Sequence, residues 1–215
     1  MTLRTYKSKR NFSNTPEPKG KTASSRDRLT FVVQRHHASH LHYDFRLELN
    51  GTLKSWAIPK GPSLNPKDKR LAMMVEDHPL SYASFEGDIP EGNYGAGHID
   101  VWDHGTYEPE DEKGEPVSAR QFSSDLKKGS IKFNMKGRKL KGSFALVKLK
   151  NSNNSWLLIK HRDKYATDEE YNSEDYAKKS SLKYTAERRK ASSEGKKKVS
   201  LGRSLSLKRT GSPQS

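Results

Sequence analysis

From His40 to Leu49 polar and apolar residues alternate without a break. His40, His42, Asp44, Arg46 and Glu48 fall on one parity, and Leu41, Tyr43, Phe45, Leu47 and Leu49 on the other. Successive side chains of a strand point to opposite faces, so this pattern predicts a strand with one apolar and one ionisable face. Asn50-Gly51 follows, the dipeptide favoured in a two-residue type I′ hairpin because both central residues need positive φ. Residues 52–58 (TLKSWAI) then return as the partner strand. Further apolar stretches predict strands starting at 29–33 and at 70–76, 98–103, 130–135, 142–150 and 155–161, the last two joined by the turn cluster Asn151-Ser152-Asn153-Asn154. Residues 84–97 hold four glycines and Pro90 and predict a long turning loop. The one helical pattern lies near 117–128. Many short strands with few helices predict an all-β protein, mainly an antiparallel β-barrel.

Charge divides this picture into three parts. Residues 1–27 carry seven Lys/Arg against two Asp/Glu, residues 176–215 carry twelve against two, and residues 28–175 carry 22 of each sign. A neutral body with basic arms favours a polyanionic partner, most simply nucleic acid. The expected organisation is an extended basic arm over 1–27, a β-barrel over 28–170 and a disordered Lys/Ser/Arg-rich tail over 171–215. There are no cysteines, which excludes disulfides and thiolate metal sites and fits a reducing compartment. No apolar run approaches the ~20 residues of a membrane span, and the N-terminus lacks a signal-peptide core. A soluble, cytoplasmic protein is therefore expected. Trp56, Trp102 and Trp156 fall within strands and are expected in the core.

The polar face of the 40–49 strand carries the chemistry. Residues two apart on one face are separated by ~6.6–7 Å, so His42 and Asp44 can converge on one ion, with Arg46 one step further. His36 lies six residues earlier, across Ala38-Ser39, where a bend could bring it to the same ion. Two imidazoles and a carboxylate with open positions suit Mn²⁺, Fe²⁺, Co²⁺ or Zn²⁺. Arg46 cannot ligate a metal but forks well onto phosphate oxygens. A second cluster, Glu76-Asp77-His78-Pro79 with Tyr82 four residues after His78, places an imidazole beside carboxylates as a ligand, a general acid or a phosphate contact. The glycine-rich EGDIPEGNYGAG matches neither the P-loop nor the dinucleotide fingerprint and is expected to be a structural turn. His37, His40, His98, His104 and His161 have no such company and are expected at the surface or behind the site.

At these residues the sequence resembles the 3′-phosphoesterase domain of bacterial DNA ligase D and its stand-alone bacterial and archaeal relatives. The matching stretches are FVVQRHHASHLHYDFRLELNGTLKSWAIPKGPS, RLAMMVEDHPLSYASFEGDIPEGNYGAGHIDVWDHGTY and SWLLIKHRDKYA. The resemblance implies a small β-barrel that holds one metal ion, typically Mn²⁺, and heals DNA 3′ ends. Such an enzyme removes a terminal ribonucleoside from a primer and hydrolyses the remaining 3′-phosphate to a 3′-hydroxyl. By motif position, His36, His42 and Asp44 would be the metal ligands, and Arg46 and His78 would contact the scissile phosphate. His78 would also be a general acid, with Tyr82 in support. Lys60, Arg70 and Glu76 fall where the family has further active-site or substrate-contacting groups. The N-terminal YKSKRNFSNTPEPKG resembles the family's YxxKRDFxxTPEP segment, so Arg10 and Glu17 match. Asn11 departs from the usual Asp, which implies a weakened ribonucleoside-removing step. The implied partners are DNA 3′ ends and primer-templates, with separate ligase, polymerase or end-binding proteins. A monomer is expected, located with the nucleoid.

Two other functions fit parts of the pattern. A non-catalytic nucleic-acid-binding barrel would use only the basic arms and leave the histidine row solvated. A small-molecule metalloenzyme on a barrel, such as an oxygenase, would also use two His and a carboxylate. The full set His36, His42, Asp44, Arg46, His78 and Tyr82 argues against the first, and Arg46 beside the metal-ligand set, together with the basic arms, favours phosphate over the second.

Overall fold

A computed structural model describes residues 2–20 and 28–185. Nine strands form one antiparallel sheet: β1 (Thr30–His37), β2 (Leu41–Leu49), β3 (Thr52–Ile58), β4 (Lys69–Pro79), β5 (Gly87–Ile89), β6 (Gly97–Glu110), β7 (Ser130–Gly137), β8 (Lys141–Lys148) and β9 (Ser155–Lys160). Eight of them run in the order β1-β2-β3-β4-β9-β8-β7-β6, and β6 pairs back onto β1, closing the barrel. The predicted all-β barrel is thus the observed fold. The short β5 adds to the start of β6, with Gly87 opposite Ile99.

The hairpin at Asn50-Gly51 has the expected geometry, with φ of 52° and 75°. Its register sets Asp44 opposite Ala57 and Arg46 opposite Ser55. A one-residue slip would turn the whole polar row to the other face. The apolar parity of β2 points into the barrel. Phe45 meets Phe133 of the non-adjacent β7 at 6.0 Å between ring centroids, and Trp56 meets Trp156 at 5.9 Å. Trp56, Trp102 and Trp156 are all buried, as expected of core residues.

Helix α2 (Ala119–Lys128) occupies the predicted helical segment. Ser118 caps its N-terminus by accepting from the Gln121 amide, and Gly129 ends it with φ 94°. Its Phe122 packs on Tyr107 and Phe133.

Three boundaries differ from expectation. Residues 1–27 are not simply an extended arm: Leu3–Ser8 form helix α1, and Tyr6 is completely buried. The polar composition hides this because Tyr6 is the one buried side chain of the helix, with Leu3 packed beside it. Residues 171–176, placed by composition in a disordered tail, belong to the barrel unit, which runs to Tyr176. Ser173 donates to the Pro62 carbonyl, and Glu174 pairs with the buried Arg35 and accepts from Tyr43. In the second compact unit, Ala177–Ser215, residues 179–185 are helical, and 186–215, like 21–27, lie outside the described residues. Finally, the loop expected over 84–97 contains β5, and β6 continues past 103 to pair with β7. No helix among the described residues is long and apolar enough to cross a membrane.

Candidate active site

The polar parity of β2 faces away from the barrel interior, yet beyond the partly exposed His42 it is buried. Asp44 is 6% exposed, Arg46 2% and Glu48 1%. A second layer covers this face: residues 2–20, the 3₁₀ turn Leu80–Ser84, β5 and the glycine-rich loop. That layer has its own small apolar core, in which Tyr6, Tyr82 and Ile89 pack with Leu53 and Ile99 of the sheet. Between the layers lies a cavity of about 220 Å³. His36, His42, Asp44, Arg46, Glu76, His78, Tyr82 and Arg10 all line it. A barrel that used its basic arms alone would not bury this row.

His36 on β1 and His42 on β2 are register partners, and Asp44 follows two residues on. Their ligating atoms lie within 4.8 Å of one another. His36 Nδ1 is 3.5 Å and His42 Nε2 3.8 Å from the Asp44 carboxylate. The opposite nitrogens of both rings face backbone carbonyls: His36 Nε2 meets Gly95 O at 2.9 Å, and His42 Nδ1 meets His40 O at 2.9 Å. A carbonyl only accepts, so in the neutral rings those nitrogens carry the protons and the lone pairs face Asp44. Tautomers oriented this way, beside a carboxylate, form a set of donors that could hold a metal ion. Burial pushes the Asp44 carboxyl up. The Arg46 guanidinium above all, with the imidazole rings beside it, outweighs burial and holds Asp44 far below the usual carboxylate range. It is therefore an anion throughout the physiological range.

Arg46 is held at three points. Nε donates to Gln34 Oε1 at 2.8 Å, Nη1 to Ser55 Oγ at 2.9 Å and Nη2 to Asp44 Oδ2 at 3.0 Å. Its guanidinium carbon sits 4.9 Å from the Tyr82 ring centre. A guanidinium has five N–H donors, so two are left for a ligand in the cavity that Arg46 lines.

A bulge places the second cluster. Leu53 pairs with His78 but Ser55 pairs with Val75, so β4 takes one residue more than β3. Val75 and Glu76, consecutive in sequence, consequently both line the cavity, as does His78. His78 Nδ1 donates to the Glu76 carbonyl at 2.9 Å, which leaves Nε2 as an acceptor facing Arg10 Nη2 at 3.3 Å. Burial, then the charges of Arg46 and Arg10, hold the His78 pKa well below the ordinary histidine value. The free protein thus carries His78 as a neutral base, whereas a ready-made general acid would be protonated.

The N-terminal segment completes the wall. Arg10 Nε bonds Glu17 at 2.8 Å and Nη1 bonds Glu76 at 3.1 Å, while Lys9 Nζ reaches Glu76 at 2.9 Å. Burial would raise Glu76, but Lys9 and Arg10 hold it below its ordinary value. Glu17 does not line the cavity; it stands behind it, accepting from Arg10, from Tyr82 at 2.9 Å and from Thr15 at 3.0 Å. Asn11 is exposed, and its Oδ1 accepts from the Ser13 amide.

The structure does not bring Lys60 and Arg70 into this cavity. Lys60 is exposed in the turn after β3, and Arg70 donates to Asp68 and to the Tyr171 carbonyl at the start of β4. Sequence pattern also missed Gln34, fully buried, which ties Arg46 to the Tyr82 and Phe85 carbonyls. Its parity with His36 on β1 was the available signal. Lys9 and Tyr94 carried none.

Comparison with known proteins agrees with this arrangement. Residues 34–148 match the model of the DNA Ligase D 3′-phosphoesterase domain. The multifunctional non-homologous end joining protein LigD of Pseudomonas aeruginosa is 50% identical over 165 residues, which is 75% of this chain and 19% of that protein. The LigD proteins of Mycobacterium tuberculosis and Mycolicibacterium smegmatis are 42% and 41% identical over 78% and 75% of this chain. The chain spans about a fifth of the length of these relatives (19–21%). Family match, barrel and the His-His-Asp-Arg row lead to one statement: the chain belongs to the DNA ligase D 3′-phosphoesterase domain family.

Proposed function

We propose that this protein is a metal-dependent phosphoesterase that heals DNA 3′ ends, hydrolysing a terminal 3′-phosphate to a 3′-hydroxyl during DNA end joining. The observation that carries this is the convergence of two oriented imidazole lone pairs and Asp44 beside the buried Arg46. His36, His42 and Asp44 would hold the ion, with Mn²⁺ expected and Co²⁺ or Zn²⁺ as alternatives. When bound, a divalent ion supplies Lewis-acid polarisation of a phosphoryl oxygen.

The remaining groups bind and move protons. Arg46 offers its two unused N–H groups to the equatorial phosphate oxygens, where charge grows in the transition state. Arg10, held by Glu17 and Glu76, adds a second positive group to the cavity wall. His78 is neutral in the free protein because burial and two cations disfavour its charge. A phosphate dianion between Arg46 and Arg10 cancels that field, so His78 takes up a proton as phosphate binds. Protonated Nε2 then donates to the leaving 3′-oxygen as water adds to phosphorus and the P–O bond to the sugar breaks. Products are inorganic phosphate and a DNA 3′-hydroxyl. Tyr82 packs edge-on against His78 at 4.8 Å between ring centres and fixes its plane. Lys60 and Arg70, outside the cavity, would contact DNA further from the break.

Removal of a 3′-terminal ribonucleoside is the same displacement with a different leaving group. We propose that this step is weak here because Asn11 lacks the carboxylate of the family segment. Asn11→Asp would raise the diesterase rate relative to the monoesterase rate; an unchanged ratio would refute this. The ligase and polymerase activities of end joining would come from partner domains or proteins.

The test uses a 5′-labelled primer-template ending in a 3′-phosphate, and one ending in a single ribonucleotide, with Mn²⁺ or with chelator. Metal-dependent conversion to a 3′-hydroxyl that His42→Ala abolishes is the expected result. Unconverted 3′-phosphate across several divalent metals would leave a DNA-binding barrel instead.

A further inference from the structure

The glycine-rich loop was expected to be only a turn, yet it carries Tyr94 to the rim of the cavity. Tyr94 lines the cavity and remains 48% exposed, whereas Tyr6 and Tyr82 nearby are buried. Two cations lie beside its ring: Lys9 Nζ is 4.5 Å from the ring centre and donates to the phenol oxygen at 3.2 Å, and the Arg10 guanidinium lies 5.5 Å away. The ring is also fixed in place relative to the metal ligands. The next residue, Gly95, accepts from His36, and Asn93 donates to the Asn14 carbonyl of the N-terminal segment.

The cavity holds about 220 Å³, less than the ~300–1,000 Å³ of pockets that enclose a whole drug-sized ligand. It takes a phosphate group, and the base of the same nucleotide must stay at the mouth. A half-exposed aromatic ring there, polarised by the cations beside it, offers a stacking surface. Stacking suits an enzyme that meets any DNA end, because every base has a π-face and no sequence is read.

We propose that Tyr94 is a nucleobase-stacking site for the terminal nucleotide that carries the 3′-phosphate. This rests on the end-healing function above. Tyr94 is a positioning and specificity residue: it touches the base, while the reacting phosphate lies deeper.

The experiment uses 3′-phosphorylated primer-templates whose terminal nucleotide carries 2-aminopurine or is abasic, with wild type, Tyr94→Ala, Tyr94→Phe and Tyr94→Trp. Binding in chelator is read by 2-aminopurine fluorescence, and turnover with Mn²⁺ by phosphate release. Wild-type protein should quench the fluorophore, Tyr94→Phe and Tyr94→Trp should keep the quench, and Tyr94→Ala should lose it. The KM advantage of the base-bearing over the abasic substrate, about tenfold in wild type from the usual worth of one stacked base, should collapse in Tyr94→Ala and survive in Tyr94→Phe. Equal quenching by wild type and Tyr94→Ala, or a penalty as large on the abasic substrate, would overturn the stacking site. Failure of the end-healing function itself looks different: wild type would release no phosphate from either substrate, whatever the fluorescence does.

Discussion

Replacing Glu17 with Ala isolates what the N-terminal segment contributes to the cavity. Glu17 is 4% exposed and accepts from Arg10, Tyr82 and Thr15. Removing its carboxylate strips the buried Tyr82 hydroxyl of its acceptor, a loss of about 1–3 kcal/mol. It also removes the charge-assisted bond to Arg10, another ~1.5–3 kcal/mol. Arg10 keeps Glu76 and the Tyr6 carbonyl, so its charge is not left bare. The expected total is therefore ~3–5 kcal/mol, the usual cost of removing one partner from a buried ion pair. Glu17→Gln retains volume and one acceptor and should cost ~1–2 kcal/mol. Urea denaturation of both variants at neutral pH, without metal, measures the difference, and phosphate release should fall with Arg10 and Tyr82 misplaced. A loss below ~1 kcal/mol for Glu17→Ala, or equal losses for Ala and Gln, would show that the segment does not depend on this carboxylate.

His78 makes stability pH-dependent. Its folded pKa is depressed, so the unfolded chain takes up a proton as pH falls below its ordinary value of about 6.5 while the folded protein does not. The stability of the metal-free protein should decline from pH 7.5 to 5.5 more steeply in wild type than in His78→Asn; identical slopes would refute the depressed value. A chain ending at Tyr176 should keep wild-type stability and turnover on a short oligonucleotide but bind DNA more weakly, with a shallower salt dependence, because the basic tail is gone. Ending at 170 should instead cost ~3 kcal/mol, since the 1%-exposed Arg35 loses Glu174; equal melting temperatures for the two truncations would rule this out. At Gly97, with φ 144°, an added Cβ would collide with the His37 carbonyl oxygen. Gly97→Ala should destabilise the protein by ~2 kcal/mol in the same denaturation assay, and a neutral effect would contradict this close approach.

The sequence by itself determined the strands and the chemistry of their faces. Strict alternation over 40–49 and Asn50-Gly51 fixed β2, the hairpin and its register, because side-chain period and turn geometry are local properties. The same alternation put His42, Asp44 and Arg46 on one face, a bend at Ala38-Ser39 let His36 join them, and the matching family segments added Arg10 and Glu17. What the alternation does not carry is whether that face meets water. Only the tertiary structure decides this, by laying a second layer with its own apolar core over the polar row and so burying Asp44 and Arg46. Burial in turn sets the proton chemistry: Asp44 stays anionic and His78 neutral because cations and desolvation act through space. The β4 bulge that turns Glu76 into the cavity follows from pairing with β3, and the tautomers of His36 and His42 follow from two backbone carbonyls, one of them in the distant loop at Gly95. Lys60 and Arg70 matched the family by position yet lie outside the cavity, since position in a motif does not say where a long side chain finds its partners. Residue types and their faces are written along the chain; burial, charge state and orientation arise only when segments far apart in sequence pack together.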